Sequence, residues 1–219
     1  MIQHISRRLQ RARPSLVLFG GMLLAISACA PRVAPLTGAA VGEALPSLEL
    51  EGSRRLVFRW RFADASIILQ GEGVARVTAP DSARLDFFVD GGLGGGVAFL
   101  LGDSLVVEDA GSVRRLLPPP PLLWATLGRL AVPEGTDTLV TRDGDTLHAE
   151  IESGSTWRMT ISDGGLTRLA RLRGNRLQEY VNRSPEEVLY EHAADRRTLR
   201  IQIQRDERVQ GFTDDIWIR

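Results

Sequence analysis

Along RRLVFRWRF (residues 54–62), apolar and charged side chains alternate: Leu56, Phe58, Trp60 and Phe62 on one side, Arg55, Arg59 and Arg61 on the other. A period of two sends successive side chains to opposite faces of an extended chain, which predicts a strand with one dry face and one wet face. The habit returns in SIILQGEGVARVTA, with Ile67, Leu69, Ala75 and Val77 together, and in ARLDFFV, with Leu85, Phe87 and Val89. Further on, TLHAEIE, STWRMTIS, LTRLARLR, RLQEYVN, TLRIQIQ and IWI read as short strands separated by DG, SG, DGG and GN. Those dipeptides suit tight antiparallel hairpins, because glycine and asparagine accept positive φ cheaply.

Two stretches carry helical signals. PPPPLLWATLGRLAVP (118–133) opens with prolines and sets Leu122, Leu123, Thr126, Leu127 and Leu130 in helical register. SPEEVLYEHA (184–193) offers a serine cap, a proline at the first position and Glu187 at the capping-box position, in competition with a strand reading of VLYEH. The expected fold is therefore mainly β with an α+β arrangement: a long, curved antiparallel sheet carrying one or two covering helices. A sheet of that length must curl, close or split to manage its edges.

The amino-terminal region has another character. MIQHISRRLQRARPS bears Arg7, Arg8, Arg11 and Arg13 without an acid, and SLVLFGGMLLAIS follows as an apolar run too short to span a bilayer. A basic start, a short apolar middle and small residues before a processing point describe a secretory signal peptide over residues 1–28. Ile26-Ser27-Ala28-Cys29 resembles the lipobox of bacterial lipoproteins, and Cys29 is the only cysteine in the chain. That resemblance implies diacylglycerol on the Cys29 sulfur, cleavage before it and acylation of the new terminus. Several acyl chains hold a domain at a membrane far better than one. Ala30 in place of aspartate implies sorting to the outer membrane with the domain facing the periplasm. Residues 29–52, small, proline-spotted and aperiodic, read as a lipidated cysteine and flexible tether with a short helical turn near Glu43–Leu48, and 53–219 as one domain.

Charge narrows the function classes. The leader takes four of 27 arginines, leaving 23 basic against 27 acidic residues, so nucleic acid is not an expected partner. Lysine is absent, which removes lysine-based catalysis, and beyond the leader only His148 and His192 remain as histidines. No cofactor or metal is implied. Gly102-Asp103-Ser104-Leu105 matches the signature of GDSL esterases, and Asp145-Thr146-Leu147-His148 matches their second motif. There Ser104 would attack an ester, with His148 as base and Asp145 orienting it. Yet LVVED after Ser104 reads as strand where that family needs a helix, so a hairpin turn is the better reading and no enzyme is expected.

LVFRWRF, GEGVARVTAPDSARLDFFV, a glycine loop, GVAFLLGDSLVV, PPPPLLWATLGRL and a meander ending in FTDDIWI follow one another over about residues 54–218. In order and texture this resembles the lipoprotein-carrier superfamily of the bacterial envelope, typified by LolA and LolB. The resemblance implies an unclosed antiparallel β-barrel capped by helices around an apolar pocket for acyl chains, lined here by Phe58, Trp60, Phe62, Leu69, Leu85 and Phe87. It also implies that Leu93, in the glycine loop DGGLGGG, engages membrane or cargo. Expected partners are the membrane, through the lipid anchor, and acyl chains or lipidated proteins as cargo, with the protein a monomer. The alternative is a non-catalytic assembly or scaffold lipoprotein of the same fold with a filled interior.

Overall fold

A computed structural model describes residues 31–36, 39–42, 44–92, 94–108 and 113–217. Its thirteen strands are β1 (Ala39–Ala40), β2 (Ser53–Ala63), β3 (Ile68–Thr78), β4 (Ser82–Val89), β5 (Gly95–Leu101), β6 (Ser104–Glu108), β7 (Asp137–Asp143), β8 (Thr146–Glu152), β9 (Thr156–Ser162), β10 (Gly165–Arg173), β11 (Arg176–Arg183), β12 (Glu187–His192) and β13 (Arg197–Val209). Two short helices, α1 (Val113–Leu116) and α2 (Pro120–Thr126), lie between β6 and β7. All strands form one antiparallel sheet in the order β1-β7-β8-β9-β10-β11-β12-β13-β2-β3-β4-β5-β6. Two meanders, β2–β6 and β7–β13, are thus joined through the β13–β2 pair, and β1 and β6 remain as the sheet's edges. The expected unclosed, mainly β architecture with one or two helices is what the chain adopts.

The alternation in β2 has the expected outcome. Leu56, Phe58, Trp60 and Phe62 are buried, whereas Arg55, Arg59 and Arg61 are exposed. In β3 the inner row is Leu69, Gly71, Gly73, Ala75 and Val77, while Ile67 falls in the preceding turn and is exposed. Turn chemistry follows the sequence: Gly102-Asp103, Gly144-Asp145, Asp163-Gly164 and Gly174-Asn175 connect consecutive strands, each glycine at positive φ.

Four expectations change. Residues 184–193 are not helical. Ser184 Oγ does accept from the Glu187 N–H at 3.0 Å, but the Ser184 N–H donates to the Glu187 carbonyl at 2.8 Å, which turns the chain back at once. Val188 and Tyr190 then enter the core as β12 pairs with β11 and β13. Sheet pairing overrides a local helix signal. The helix expected over 118–133 is shorter, seven residues ending where Gly128 takes φ +89°. Ile216 and Trp217 of IWI are not in a strand: Asp214–Trp217 is a 3-10 turn, with Trp217 edge-on to Phe212 at 6.4 Å.

The fourth concerns the segment expected as a tether. Its described residues are laid along the domain. Leu177 N–H donates to the Pro31 carbonyl at 3.0 Å, Val33 N–H to the Asn175 carbonyl at 2.9 Å, and Arg158 Nη1 to the Ala34 carbonyl at 2.6 Å. Val33 covers a small apolar cluster of Ala170, Leu172 and Leu177 on β10 and β11. Further on, Ala39–Ala40 pairs with β7, Val41 N–H donates to Val140, and Leu45, Leu48 and Leu50 pack into the main core. Among residues 44–48 there is no helical turn. Glu43, Cys29, the leader (1–28) and Leu93 lie outside the described residues. We term Pro31–Leu50 the strap.

A docked strap protects its amides, a free tether does not. Hydrogen exchange is therefore expected to show Val33, Val41 and Leu177 N–H slowed relative to the unbonded amide of Gly42. Equal, rapid exchange across residues 31–42 would place the segment in solvent.

Candidate functional site

Period two sends the aromatic residues of β2 and β4 to the same concave surface. Phe87 meets Phe58 edge-on at 5.8 Å and Trp60 at 5.9 Å. The Trp60 indole N–H donates to the Glu72 carbonyl at 2.9 Å, which fixes its ring along β3. The ring packing depends on glycine: a Cβ at Gly73 would lie 2.5 Å from the Phe58 ring, and one at Gly71 would lie 1.8 Å from the Phe88 carbonyl. Phe58, Trp60, Phe62, Leu85 and Phe87 are each no more than 3% exposed, and Leu69 is half-buried. The structure brings these six side chains together. It packs five of them as core, and Trp60 also borders a cleft lined by Arg59, Arg61, Gln70, Gly71, Arg200 and Gln202.

Helix α2 is one of the elements packed into the same apolar core, with α1 and the strap. PPLLWAT is apolar all round, the pattern of a helix surrounded by protein, and Leu122, Leu123, Trp124 and Ala125 are at most 1% exposed. The helix packs on β10, β11 and β12. From the opposite side the Trp124 indole N–H reaches the Gly102 carbonyl in the β5–β6 turn at 2.6 Å, while Arg129 lies over the indole at 4.8 Å. The fit of α1 needs Gly96, where an added Cβ would sit 2.5 Å from Val113.

One polar network interrupts the apolar interior. Tyr190 Oη donates to Glu179 Oε2 at 2.7 Å and accepts from Arg197 Nη2 at 3.0 Å, and Arg171 forms an ion pair with Glu179. Glu179 is 1% exposed. A carboxylate so buried is tolerable only with charged and hydrogen-bonded partners. Burial, followed by the neighbouring Glu179 charge and hydrogen bond, pushes the Tyr190 phenol up from its ordinary value. Arg197 also reaches toward the Arg115 carbonyl of α1 at 3.5 Å, and Arg115 pairs with Asp64 at 2.7 Å. The network thus joins the interior of β10–β13 to the first helix. Its signal was present in RLQEYVN, where period two places Glu179 between Leu177 and Val181.

Among the described residues no hydrogen bond joins Ser104, His148 and Asp145. Ser104 opens β6 at one edge of the sheet, and His148 lies in β8 near the other, with Nδ1 3.3 Å from Thr160 Oγ1. Gly102-Asp103 is the hairpin turn expected for it. Among the described residues no group of three or more His, Cys, Asp or Glu could hold a metal ion, and no helix is long and apolar enough to cross a membrane.

No protein-family model matches the chain, and no curated protein does. Solved structures do. A LolA superfamily protein from Nitrosomonas europaea superposes with a TM-score of 0.51 at 10% identity, over 77% of this chain and 90% of that one. A DUF1329 family protein from Desulfovibrio piger gives 0.45 at 9% identity, over 75% and 89%. A domain described as an outer membrane lipoprotein-sorting protein from Vibrio parahaemolyticus gives 0.46 at 7% identity, over 76% and 89%. The first likeness establishes a shared fold, in agreement with the resemblance read from the sequence.

Replacing Tyr190 by phenylalanine removes two hydrogen bonds to charged partners and is expected to cost about 2 kcal/mol in urea denaturation. Because the folded phenol is held above its ordinary value, its contribution is complete below pH 10, the unfolded value, and declines as pH rises beyond it. The wild-type protein is therefore expected to lose more stability between pH 9 and 11 than Tyr190→Phe does. Equal losses would remove Tyr190 from the pH response.

Proposed function

We propose that this chain is a lipid-anchored envelope protein that takes an acyl chain into its concave face and thereby carries or inserts lipids or lipidated proteins, without a covalent step. The observation that carries the reading is the concave face itself: an apolar surface on an unclosed sheet, covered by α1, α2 and the strap rather than by a second sheet. The leader and lipobox pattern ending at Cys29 support export and anchoring, with the outer membrane as destination and the domain in the periplasm. The resemblance read from the sequence implies an acyl-chain cargo, and the fold held in common with a LolA superfamily protein agrees with that resemblance.

Magnitudes make an exchange of fillings reasonable. Leu122, Leu123, Trp124 and Leu127 together gain about 6–12 kcal/mol from burial at 1.5–3 kcal/mol each. A palmitoyl chain gains a comparable ~12 kcal/mol at about 0.8 kcal/mol per buried methylene. An acyl chain can therefore take the place of α2 near balance, and small changes in how α2 is held set the affinity. The sealed interior favours one second reading, a scaffold lipoprotein whose core stays filled.

The test is uptake of a fluorescent fatty acid by the purified, delipidated protein. Saturable binding displaced by palmitate is expected. Trp124→Phe, which deletes the bond to Gly102, should tighten it about fivefold, the equivalent of ~1 kcal/mol of one hydrogen bond. Absence of uptake in both proteins would discard the carrier reading and leave the scaffold.

A further inference from the structure

The sheet has two ends with different charge. At one lie the turns β3–β4, β5–β6, β7–β8, β9–β10 and β11–β12, and each holds one acid and no base: Asp81, Asp103, Asp145, Asp163 and Glu186. None of the five forms an ion pair among the described residues. At the other end the acids of the turns are engaged, Asp64 with Arg115 at 2.7 Å, Asp90 with Arg59 at 3.6 Å and Asp195 with His192 at 3.4 Å, while Asp137 and Glu152 at strand ends form no ion pair among the described residues. Around the β10–β11 turn of this second end stand Arg32, Arg173 and Arg176, all exposed and without an ion pair among the described residues. Three of the exposed large apolar side chains, Ile67, Ile68 and Phe88, also belong to this end, whereas Leu101 sits at the acidic one.

The strap says where an anchor would leave the domain. Pro31 is bonded to Leu177, and the Arg32–Arg176 bridge follows it. Cys29 is two residues earlier, so it cannot lie more than ~7 Å along the chain from Pro31. Accepting the reading of Cys29 as the acylated residue, on which this inference rests, the anchor leaves at the arginine corner.

We propose that the β10–β11 end of the sheet is a membrane-docking surface: Arg32, Arg173 and Arg176 contact the anionic phosphate headgroups of the bilayer that holds the anchor, and the five acidic turns face away from it. The occupant is a lipid surface because the anchor emerges among these arginines and because the charge there complements anionic headgroups. Opposite charge at the two ends makes the reverse orientation unfavourable, and the attraction declines with salt. Ile67, Ile68 and Phe88 supply apolar contact from the same side.

The test uses the mature protein purified from membranes and reconstituted into phosphatidylglycerol–phosphatidylcholine vesicles. Incorporation of radiolabelled palmitate is read first, and its absence in Cys29→Ser is required. Failure there overturns the anchoring reading and, with it, this inference. Given incorporation, environment-sensitive fluorophores on Asn175→Cys and Asp145→Cys, one at each end, are quenched with spin-labelled lipid. The Asn175 position is expected to be quenched at least about threefold more than Asp145. Replacing Arg32, Arg173 and Arg176 together by glutamine should reduce that difference, with palmitate incorporation unchanged. Pure phosphatidylcholine vesicles should reduce it likewise. Equal quenching at both ends, stronger quenching at Asp145, or a difference indifferent to lipid charge and to the arginines would overturn docking while leaving the anchor in place.

Discussion

Everything in this architecture depends on the ladder between β2 and β13. It aligns Ser53–Ala63 with Thr198–Val209 in eleven residue pairs, broken once by a shift between Ile203 and Arg205. Each other pairing among β2–β6 and β7–β13 joins neighbours in sequence and can form from a local hairpin. The β2–β13 ladder alone spans most of the domain, and closing so long a loop costs entropy before any contact repays it. Without it there would be two meanders, each with an apolar face open to water. With it they form one curved surface, and the rings of β2 become the centre of the core instead of an edge.

That centre decides how much of the fold was legible. Alternation in β2 and β4 is strong enough to specify which face is buried, and DG and GN turns specify where chains reverse. The failures share one cause. Ser184 and Glu187 carry a helix-start pattern that the chain uses only for a turn, because Val188 and Tyr190 find partners on both sides in the sheet. Those partners, Val181 and Leu199 for Tyr190 and Arg183 and Ile201 for Val188, lie outside the few residues that a helix-start pattern reads. The strap was missed for a related reason: small residues and prolines between 30 and 52 show no period, yet hydrogen bonds of their backbone with the Val140 and Leu177 backbones and the Arg158 side chain need none. The candidate site was half legible. Period two puts the six residues on one face, but whether that face is hollow depends on what packs onto it, α2 among others, whose position comes from packing on β10–β12.

A sealed interior and a carrier role are compatible only if the seal is weak where it must yield. Two kinds of contact hold the filling, and they differ in what they resist. Trp124 and its leucines are held by burial, a non-directional force that an acyl chain can supply equally well. The Glu179–Tyr190–Arg197–Arg171 network is directional and costly to leave unsatisfied, so it stays assembled whichever filling is present. On the carrier reading, the network belongs to the frame and α2 to the exchangeable part. This division accounts for a buried charge cluster lying next to a helix that carries no hydrogen-bonding side chain except Thr126 and the Trp124 indole.

The strap also changes what weak surface charges can do. Residues 29–52, if free, would extend roughly 80 Å and let the domain tumble at that distance from its anchor. Exposed arginines contribute about 1 kcal/mol each near an anionic surface and are screened within about 8 Å at physiological salt, too little to hold a freely diffusing domain. Docking the strap shortens the leash to the residues before Pro31. For a chain acylated at Cys29, the arginines then meet the headgroups at the high effective concentration of a short linker. Contacts too weak to recruit the protein become sufficient to orient it. Orientation is what a carrier needs, since cargo must pass between an apolar interior and a bilayer over a short, fixed distance.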